Sequence, residues 1–315
     1  MSNNNVLKTN KKKGETLRYI KKKKYLYMLL IPAAICTLIF NYLPMLGIGI
    51  AFKDYNVIDG IIGSPWVGLD NFKTIIEMPS VLHALKNTFK YGFIFMFGGT
   101  PFAVVFALMI NEIRNIHFKK FVQTISYLPH FLSWASVVAI FYGFFSLSGP
   151  YNEIMAKIIG DEYEATNLLM NYKNFTPVLF VSNVWKGLGW SSILYLAAIA
   201  GIDQEMYEAA EIDGCGKFKQ AIYITLPCIA VTIAMSMLLS VGSLISVNFE
   251  QVYGFQNVYI QEQTDTINTL AYRMGIEGGE YSLSTAFGLL QGLASLTIML
   301  IVNELSRRFA HMSVW

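Results

Sequence analysis

Six long segments that are almost free of charged side chains limit the folds open to this chain. Five carry none and the sixth carries only Lys186; they cover residues 25–52, 91–111, 121–152, 174–202, 220–249 and 281–303. A helix needs about 20 mostly apolar residues to cross ~30 Å of hydrocarbon. Only 14% of the 315 residues are charged, whereas a soluble domain carries about 25%. We therefore predict an all-α, polytopic membrane protein rather than an unusually apolar soluble bundle.

The distribution of basic residues predicts how the chain is oriented. We place six transmembrane helices near residues 25–51, 87–110, 122–145, 177–200, 221–246 and 284–305, in a domain 25–315 that follows a basic tail at 1–24. Sixteen Lys and Arg residues then lie in the tail and in the segments on its side, and six lie in the opposite loops. Because cytoplasmic loops are richer in Lys and Arg, both termini are predicted to be cytoplasmic. Topology and anionic lipid explain the tail lysines better than nucleic acid does, since no basic patch with interleaved aromatic residues follows them.

The stretch EAAEIDGCGKFKQAIYITLP, residues 208–227, lies between the fourth and fifth predicted spans. Its letters GCGK resemble part of a phosphate-binding loop. That motif needs a glycine five positions before its Gly-Lys pair and Ser or Thr after it. The chain has Glu211 and Phe218 at these places, so a nucleotide site is excluded here.

The same region has the signals of a short exposed helix. Asp203 is a good N-cap for a helix over 204–213, and Gly214 can end that helix in the left-handed conformation. The helix is rich in acids, whereas helices that rest on membranes usually have a polar face rich in Lys and Arg. A docking element for a cytoplasmic partner is therefore predicted in preference to a membrane-surface helix.

This stretch resembles the EAA loop of binding-protein-dependent ABC importer permeases. The match consists, without gaps, of Glu208-Ala209-Ala210, Gly214 and Ile224-Thr225-Leu226-Pro227; Cys215 stands where alanine or serine is common. AFKDYN, SPWVGLDNF, NFEQVY and GEYSLSTAFGLLQ are similar to the maltose-type carbohydrate branch, within it the polysaccharide or aldouronate/alginate-type permeases, so the resemblance covers nearly the whole chain after the tail. It implies the type I permease fold of ABC importers, with a coupling helix in a cytoplasmic loop, 203–219, in a bacterial plasma membrane.

The resemblance also implies partners and residue roles. A second homologous permease, two cytoplasmic ATPase subunits and an extracellular solute-binding protein or lipoprotein would complete an oligosaccharide importer. ATP and magnesium would be held by the ATPase subunits, with no cofactor and no enzymatic activity in this chain. Glu208 would contact the ATPase, Ala209 and Ala210 would fit its groove, and Gly214 would form the corner before the terminal Leu226 and Pro227 of the motif.

Polar and aromatic residues near the fourth and fifth spans are candidates for the sugar pathway, because sugars offer hydroxyls to polar groups and an apolar face to aromatic rings. They are Asn183, Trp185, Lys186, Trp190, Asn248, Glu250, Gln251 and Tyr253. Asn183, Lys186 and Trp190 are spaced to share one helical face. Three alternatives stay open: an interfacial aromatic belt for the tryptophans, a structural ion pair with another helix for Lys186, and a solvated outer loop for residues 248–251.

Two other classes of membrane protein fit the sequence less well. An ion-coupled secondary sugar transporter commonly has inverted repeats and acids near the midplane. A membrane enzyme needs catalytic carboxylates or histidines clustered near the spans. Neither pattern is evident, and the scattered cysteines and histidines predict no disulfide framework and no metal site.

Overall fold

Residues 22–160 and 162–310 are described by the structure, a computed structural model, and they form helices joined by short loops. The main helices are α1 Lys24–Phe52, α2 Asp70–Glu77, α3 Pro79–Asn111, α4 Ile116–Phe131, α5 Trp134–Phe145, α6 Pro150–Ile159, α7 Tyr172–Ala200, α8 Gln204–Ile212, α9 Lys217–Ser240, α10 Phe249–Phe255, α11 Ile267–Tyr272 and α12 Tyr281–Ala310. An isolated antiparallel bridge joins Lys53 to Trp66. The all-α class is confirmed for the described residues; most of the predicted basic tail, 1–21, lies outside them.

Four helices are long and apolar enough to cross a membrane by themselves. These are α1, α3, α9 and α12, and a bent pair of helices between residues 116 and 159 can supply a fifth crossing. α7 corresponds to the remaining predicted span and has 29 residues. Its two lysines and its Asn and Ser side chains make it less apolar than the other four. The structure therefore gives a multi-pass membrane protein with four or five candidate spans.

The third predicted span, 122–145, is wrong as a single continuous helix. The chain bends by 102° between Ile116–Phe131 and Trp134–Ile159. Pro129 lies in the last turn of α4, where it lacks a backbone N–H and disfavours continuation of the helix. Ser133 is extended and its hydroxyl accepts a hydrogen bond from Ser136 N at 3.2 Å, which is a good start for a new helix.

Some of the other predicted boundaries differ from the structure by one or two turns, whereas the ends predicted at 51, 110 and 200 agree within one residue. α9 ends at Ser240 rather than near 246, because the chain leaves the helix through a short 3-10 turn, Val241–Ser243. In contrast, α3 begins at Pro79 rather than near 87, and α7 begins at Tyr172 rather than near 177. The extra turn of α7 has its own N-cap, since the side chain of Asn171 accepts a hydrogen bond from Lys173 N.

α7 is the central helix of the bundle and packs against α3, α4, α9 and α10. On one side Phe175 and Leu179 join an apolar cluster with Val252 and Phe255. Nearer its other end, Tyr195 and Ile199 pack with α3 and α9. A separate cluster under α12 contains Ala51, Phe72 and Phe287.

Glycines allow the closest helix crossings. At Gly189, where α7 crosses α4, an added Cβ would overlap the backbone carbonyl of Ser126. At Gly92 of α3, an added Cβ would overlap the carbonyl of Leu244. Small residues at such crossings let membrane helices approach through backbone contact, so these glycines set the positions of α4 and of the segment after α9.

We expect Gly189→Ala to lower the free energy of unfolding by about 1–3 kcal/mol, because the methyl group would overlap the backbone of Ser126 and the ring of Tyr127. Thermal unfolding of the purified protein in detergent measures this change. Gly288→Ala is the matched control, since no atom lies within 4 Å of the added Cβ and alanine favours helix. Equal melting temperatures for the two variants would contradict this account of the crossing.

Candidate functional site

Residues 203–219, here called the coupling hairpin, connect α7 to α9. Asp203 Oδ1 accepts a hydrogen bond from Glu205 N at 3.0 Å and begins α8. Gly214 has φ +73°, and Cys215 N donates to Ala210 O at 2.8 Å. This is the left-handed glycine ending that stabilises many helix C-termini. Asp203 and Gly214 thus take their predicted places at the two ends of the helix.

Side-chain hydrogen bonds tie the coupling hairpin to the start of α9. The Tyr207 hydroxyl lies 2.8 Å from Thr225 Oγ1. Lys217 Nζ lies 2.5 Å from Glu211 Oε1, and this hydrogen bond lowers the pKa of Glu211. Gln220 is buried and donates to Cys215 O at 3.1 Å. α8, the glycine corner and the first turns of α9 are therefore held as one rigid unit.

The outer face of the coupling hairpin is open. No residue of α8 is buried; Glu208 and Ala209 are exposed, while Ala210 is half-buried. Apolar side chains are also exposed here, with Ile212 at 87% and Phe218 at 79%. A polar cavity of about 460 Å³ lies between α8 and residues 111–114. Charged residues from both elements line it: Glu112, Arg114, Glu208, Glu211 and Lys217.

The last two residues of the predicted motif lie beyond the hairpin. Leu226 and Pro227 form the first turn of the α-helical part of α9, after a π-helical turn, Ala221–Thr225. Both side chains are exposed. Pro227 has no backbone N–H to donate, and the wider π-helical turn before it is the kind of irregularity that accommodates such a gap in a helix.

A second, larger cavity of about 510 Å³ lies between α3, α7 and α9. Hydroxyl, amide and aromatic side chains line it: Thr100, Asn183, Trp190, Ser191, Tyr195, Ser236, Ser240, Ser246 and Asn248. Among the described residues its lining contains no charged side chain. Three of the predicted pathway residues, Asn183, Trp190 and Asn248, are brought together here. The lining suits a polar, uncharged ligand, since it offers many hydrogen bonds and one large aromatic surface.

Lys186, for which an ion pair with another helix was the open alternative, forms none with an acidic side chain of the described residues. Its Nζ donates to His130 O at 2.6 Å and to Leu132 O at 2.7 Å. These carbonyls lie at the break between α4 and α5, where the helix can no longer pair them. Trp190, one turn further along α7, stacks flat on the His130 ring at 4.4 Å and 2°. The face of α7 that carries Lys186 and Trp190 therefore holds the break between α4 and α5 in place.

The remaining predicted residues are divided between packing and the surface. Gln251 is fully buried and donates to Leu179 O at 2.8 Å and Ser182 Oγ at 3.0 Å, so a solvated loop is the wrong description of it. Trp185 packs against Phe141. Glu250 is exposed, and Tyr253 is 40% exposed and donates to Glu277 Oε1 at 2.9 Å.

The hydroxyl residues of the cavity wall were not predicted from the sequence. Ser236 and Ser240 are four positions apart on α9, and Ser191 continues the spacing of Asn183 and Gly187 on α7. Residues four apart share a helix face, so this spacing could have indicated a polar face that lines the cavity. The signal is weak, because serine is common in membrane helices.

Comparison with known proteins gives consistent matches. Residues 99–311 match the family described as the binding-protein-dependent transport system inner membrane component. The chain is 39% identical to protein LplB of Bacillus subtilis over 291 residues, covering 92% of this chain and 91% of LplB. It is 36% identical to the polygalacturonan/rhamnogalacturonan transport system permease protein YteP of the same organism, covering 98% and 96% of the two chains.

A solved structure matches over nearly the same length. It is a chain of a bacterial ABC transporter involved in the import of the acidic polysaccharide alginate, with TM-score 0.83 and 36% identity. The match covers 94% of this chain and 99% of the other. The same transporter is also known in complex with a periplasmic protein that carries an alginate pentasaccharide, and it matches equally well.

We expect Lys186→Met to lower the free energy of unfolding by about 1–3 kcal/mol, because two carbonyls at the helix break lose their donor. Thermal unfolding in detergent measures this loss, and Lys186→Arg should recover part of it. Lys173→Met is the control, since Lys173 is exposed in the first turn of the same helix. A melting temperature of Lys186→Met equal to that of the control would show that the cap does not stabilise the break.

Proposed function

The chain belongs to the family of binding-protein-dependent transport system inner membrane components, and on this premise we propose that it forms part of the pathway through which an ATP-driven importer moves an oligosaccharide into a bacterial cell. As a family member it is a permease component of an ABC transporter. The proposal assigns it a substrate class, a coupling element and a set of partners.

One structural relationship carries the proposal. α7 ends and α9 begins at the coupling hairpin, and both helices line the cavity of about 510 Å³. The hairpin is joined rigidly to α9 through Tyr207 and Thr225. A partner that moves the hairpin therefore moves two walls of the cavity, which is the kind of rigid-body shift that alternates access between two sides of a membrane.

The coupling hairpin is proposed to dock on a cytoplasmic ATPase. Glu208 and Ala209 are exposed on α8, and the apolar side chains of Ile212 and Phe218 are nearby. An exposed surface that combines apolar side chains with a polar rim is typical of a site where another protein docks. In our proposal Glu208 contacts the ATPase, Ala209 and Ala210 fit its groove, and two such subunits bind ATP and magnesium. This chain then needs no cofactor of its own.

The cavity is proposed as this subunit's share of the sugar pathway. Trp190 offers an aromatic face, and Asn183, Asn248 and the serines of α7 and α9 offer hydrogen bonds. Relatives named for polygalacturonan/rhamnogalacturonan transport and for alginate import support a carbohydrate substrate. The solved complex with a sugar-bound periplasmic protein supports delivery by an extracellular solute-binding protein.

The full topology is also part of the proposal. α7 and the bent α4–α5 pair complete six spans, and both termini lie in the cytoplasm with the coupling hairpin. Residues Lys24–Tyr42 of α1 have no buried side chain, so this helix leaves a long apolar surface for lipid and for a second, homologous permease. The six-span arrangement makes the loops after α1 and after α9 the docking surface for the binding protein.

The alternative of an ion-coupled secondary sugar transporter is less well supported, because the cavity lining has no acid to carry an ion. Uptake in proteoliposomes separates the two functions. The chain is purified together with its partner permease and ATPase subunits and is reconstituted with its binding protein. Uptake of a labelled oligogalacturonide is then measured. We expect uptake to require internal ATP and to stop with vanadate. Uptake driven by a proton or sodium gradient without ATP would contradict the proposal.

We expect Gly214→Val to reduce this uptake at least tenfold while the protein still inserts into the membrane. An added Cβ meets no atom within 4 Å at Gly214, so the cost comes from a β-branched residue at φ +73°. The distorted corner would misdirect α8. Gly216→Val is the matched control, because Gly216 has φ −70° and open space. Uptake near the wild-type level in Gly214→Val would count against the hairpin as the coupling element.

A further inference from the structure

Three aromatic rings form an open cluster beside the transport cavity. Phe249 and Tyr253 lie one turn apart on α10, with ring centroids 5.2 Å apart and 20° between their planes. Tyr272, at the end of α11, lies 5.0 Å from Phe249 and 5.1 Å from Tyr253. Tyr253 is 40% exposed and the other two rings are half-buried. We call these three residues the aromatic triad.

The triad lies on the open face of α10. The opposite face, with Gln251, Val252 and Phe255, is buried against the bundle. α10 packs mainly on α5, and also on α7 and α11. Phe249 and Tyr253 are less buried than this face and contact Tyr272 of α11.

The position of the triad connects it to the cavity. Asn248 lines the cavity and also caps α10, since its Oδ1 accepts a hydrogen bond from Gln251 N at 2.9 Å. The triad begins with the next residue. Because α9 starts at the coupling hairpin and α10 follows its far end, the triad lies at the opposite end of the bundle from the hairpin. On the proposed topology this is the outer end.

The polar groups around the triad suit a sugar ring. The Tyr253 hydroxyl donates to Glu277 Oε1 at 2.9 Å, and this hydrogen bond raises the pKa of Tyr253. The Tyr253 oxygen and the exposed Glu277 carboxylate keep lone pairs that can accept hydrogen bonds from sugar hydroxyls. An exposed ring beside such acceptors matches the two surfaces of a pyranose, one apolar and one rich in hydroxyls.

The charges around the triad favour an uncharged sugar unit. Glu277 is exposed beside the rings and accepts the hydrogen bond from Tyr253. The nearby cation, Arg273, is paired with Asp265. A uronate carboxylate at the triad would meet the like charge of Glu277, and like charges at close range disfavour binding. The triad therefore differs in chemical preference from a site built for an acidic sugar.

We propose that Phe249, Tyr253 and Tyr272 form an outer subsite that binds one uncharged pyranose unit of an oligosaccharide whose leading end occupies the cavity. This inference rests on the proposed function as a carbohydrate permease. A cavity of about 510 Å³ is in the range of ~300–1,000 Å³ that holds small ligands. A chain of several sugars must extend beyond it, and the triad is the next surface along α10.

The test compares sugar length and sugar charge in the assembled transporter with its binding protein. The probes are oligogalacturonides of two and five units, each as the free acid and as the methyl ester, which is neutral. Uptake is measured in proteoliposomes for the wild type, Tyr253→Ala and Tyr253→Phe. Tyr172→Ala is the control, because Tyr172 is 54% exposed at the start of α7 and takes no part in the triad.

We expect Tyr253→Ala to raise the apparent KM for the five-unit ester roughly two- to tenfold, the range that loss of one stacking partner predicts. The two-unit probes should be unaffected, and Tyr253→Phe should keep most of the affinity. Equal losses for both lengths would overturn the subsite and indicate a docking surface for the binding protein. No loss of affinity for either length would also overturn the subsite. A larger loss for the free acid would overturn the preference for a neutral unit. If the wild type imports none of the probes, the carbohydrate function itself fails, and with it the subsite.

Discussion

Backbone groups inside hydrocarbon have no water to pair with, and this constraint decides how the bundle tolerates the break between α4 and α5. The chain bends by 102° there, and two carbonyls lose helical partners. Lys186 reaches across from α7 and donates to both. The charge of Lys186 in the apolar helix α7 is thus explained by the unpaired carbonyls of the neighbouring α4–α5 break. Because Trp190 stacks on His130 at the same break, the irregular segment also fixes an aromatic wall of the cavity.

The parts of the fold that sequence predicts well are those decided locally. Run length predicts apolar helices, and Asp203 and Gly214 mark the ends of α8 because capping depends on a few neighbouring residues. The break in the third predicted span was not predicted, since an uncharged run has the same hydropathy whether it is straight or bent. Pro129 and Ser133 carried the signal, but proline alone does not break a membrane helix when neighbours satisfy its backbone.

The site was predictable to a smaller extent. Asn183, Trp190 and Asn248 line the cavity, and the sequence singles them out because a polar or aromatic residue in an apolar run stands out. Gln251 has the same appearance but is buried, held by Leu179 O, 72 positions away. Burial of this kind depends on tertiary contacts that a single sequence does not contain. The serines of α9 remained unnoticed because small hydroxyl residues are compatible with either lipid-facing or cavity-facing positions.

The cavity wall and the coupling hairpin are made of different kinds of residue. The hairpin depends on a glycine corner and on specific side-chain pairs such as Tyr207 with Thr225. The wall depends on small hydroxyl groups such as Ser191, Ser236 and Ser240. Exchanging one small residue for another changes hydrogen bonding with little change in helix packing. On the proposed function, duplicated copies of such a chain can therefore change which sugar they carry through substitutions in the wall, while the hairpin still fits the same ATPase.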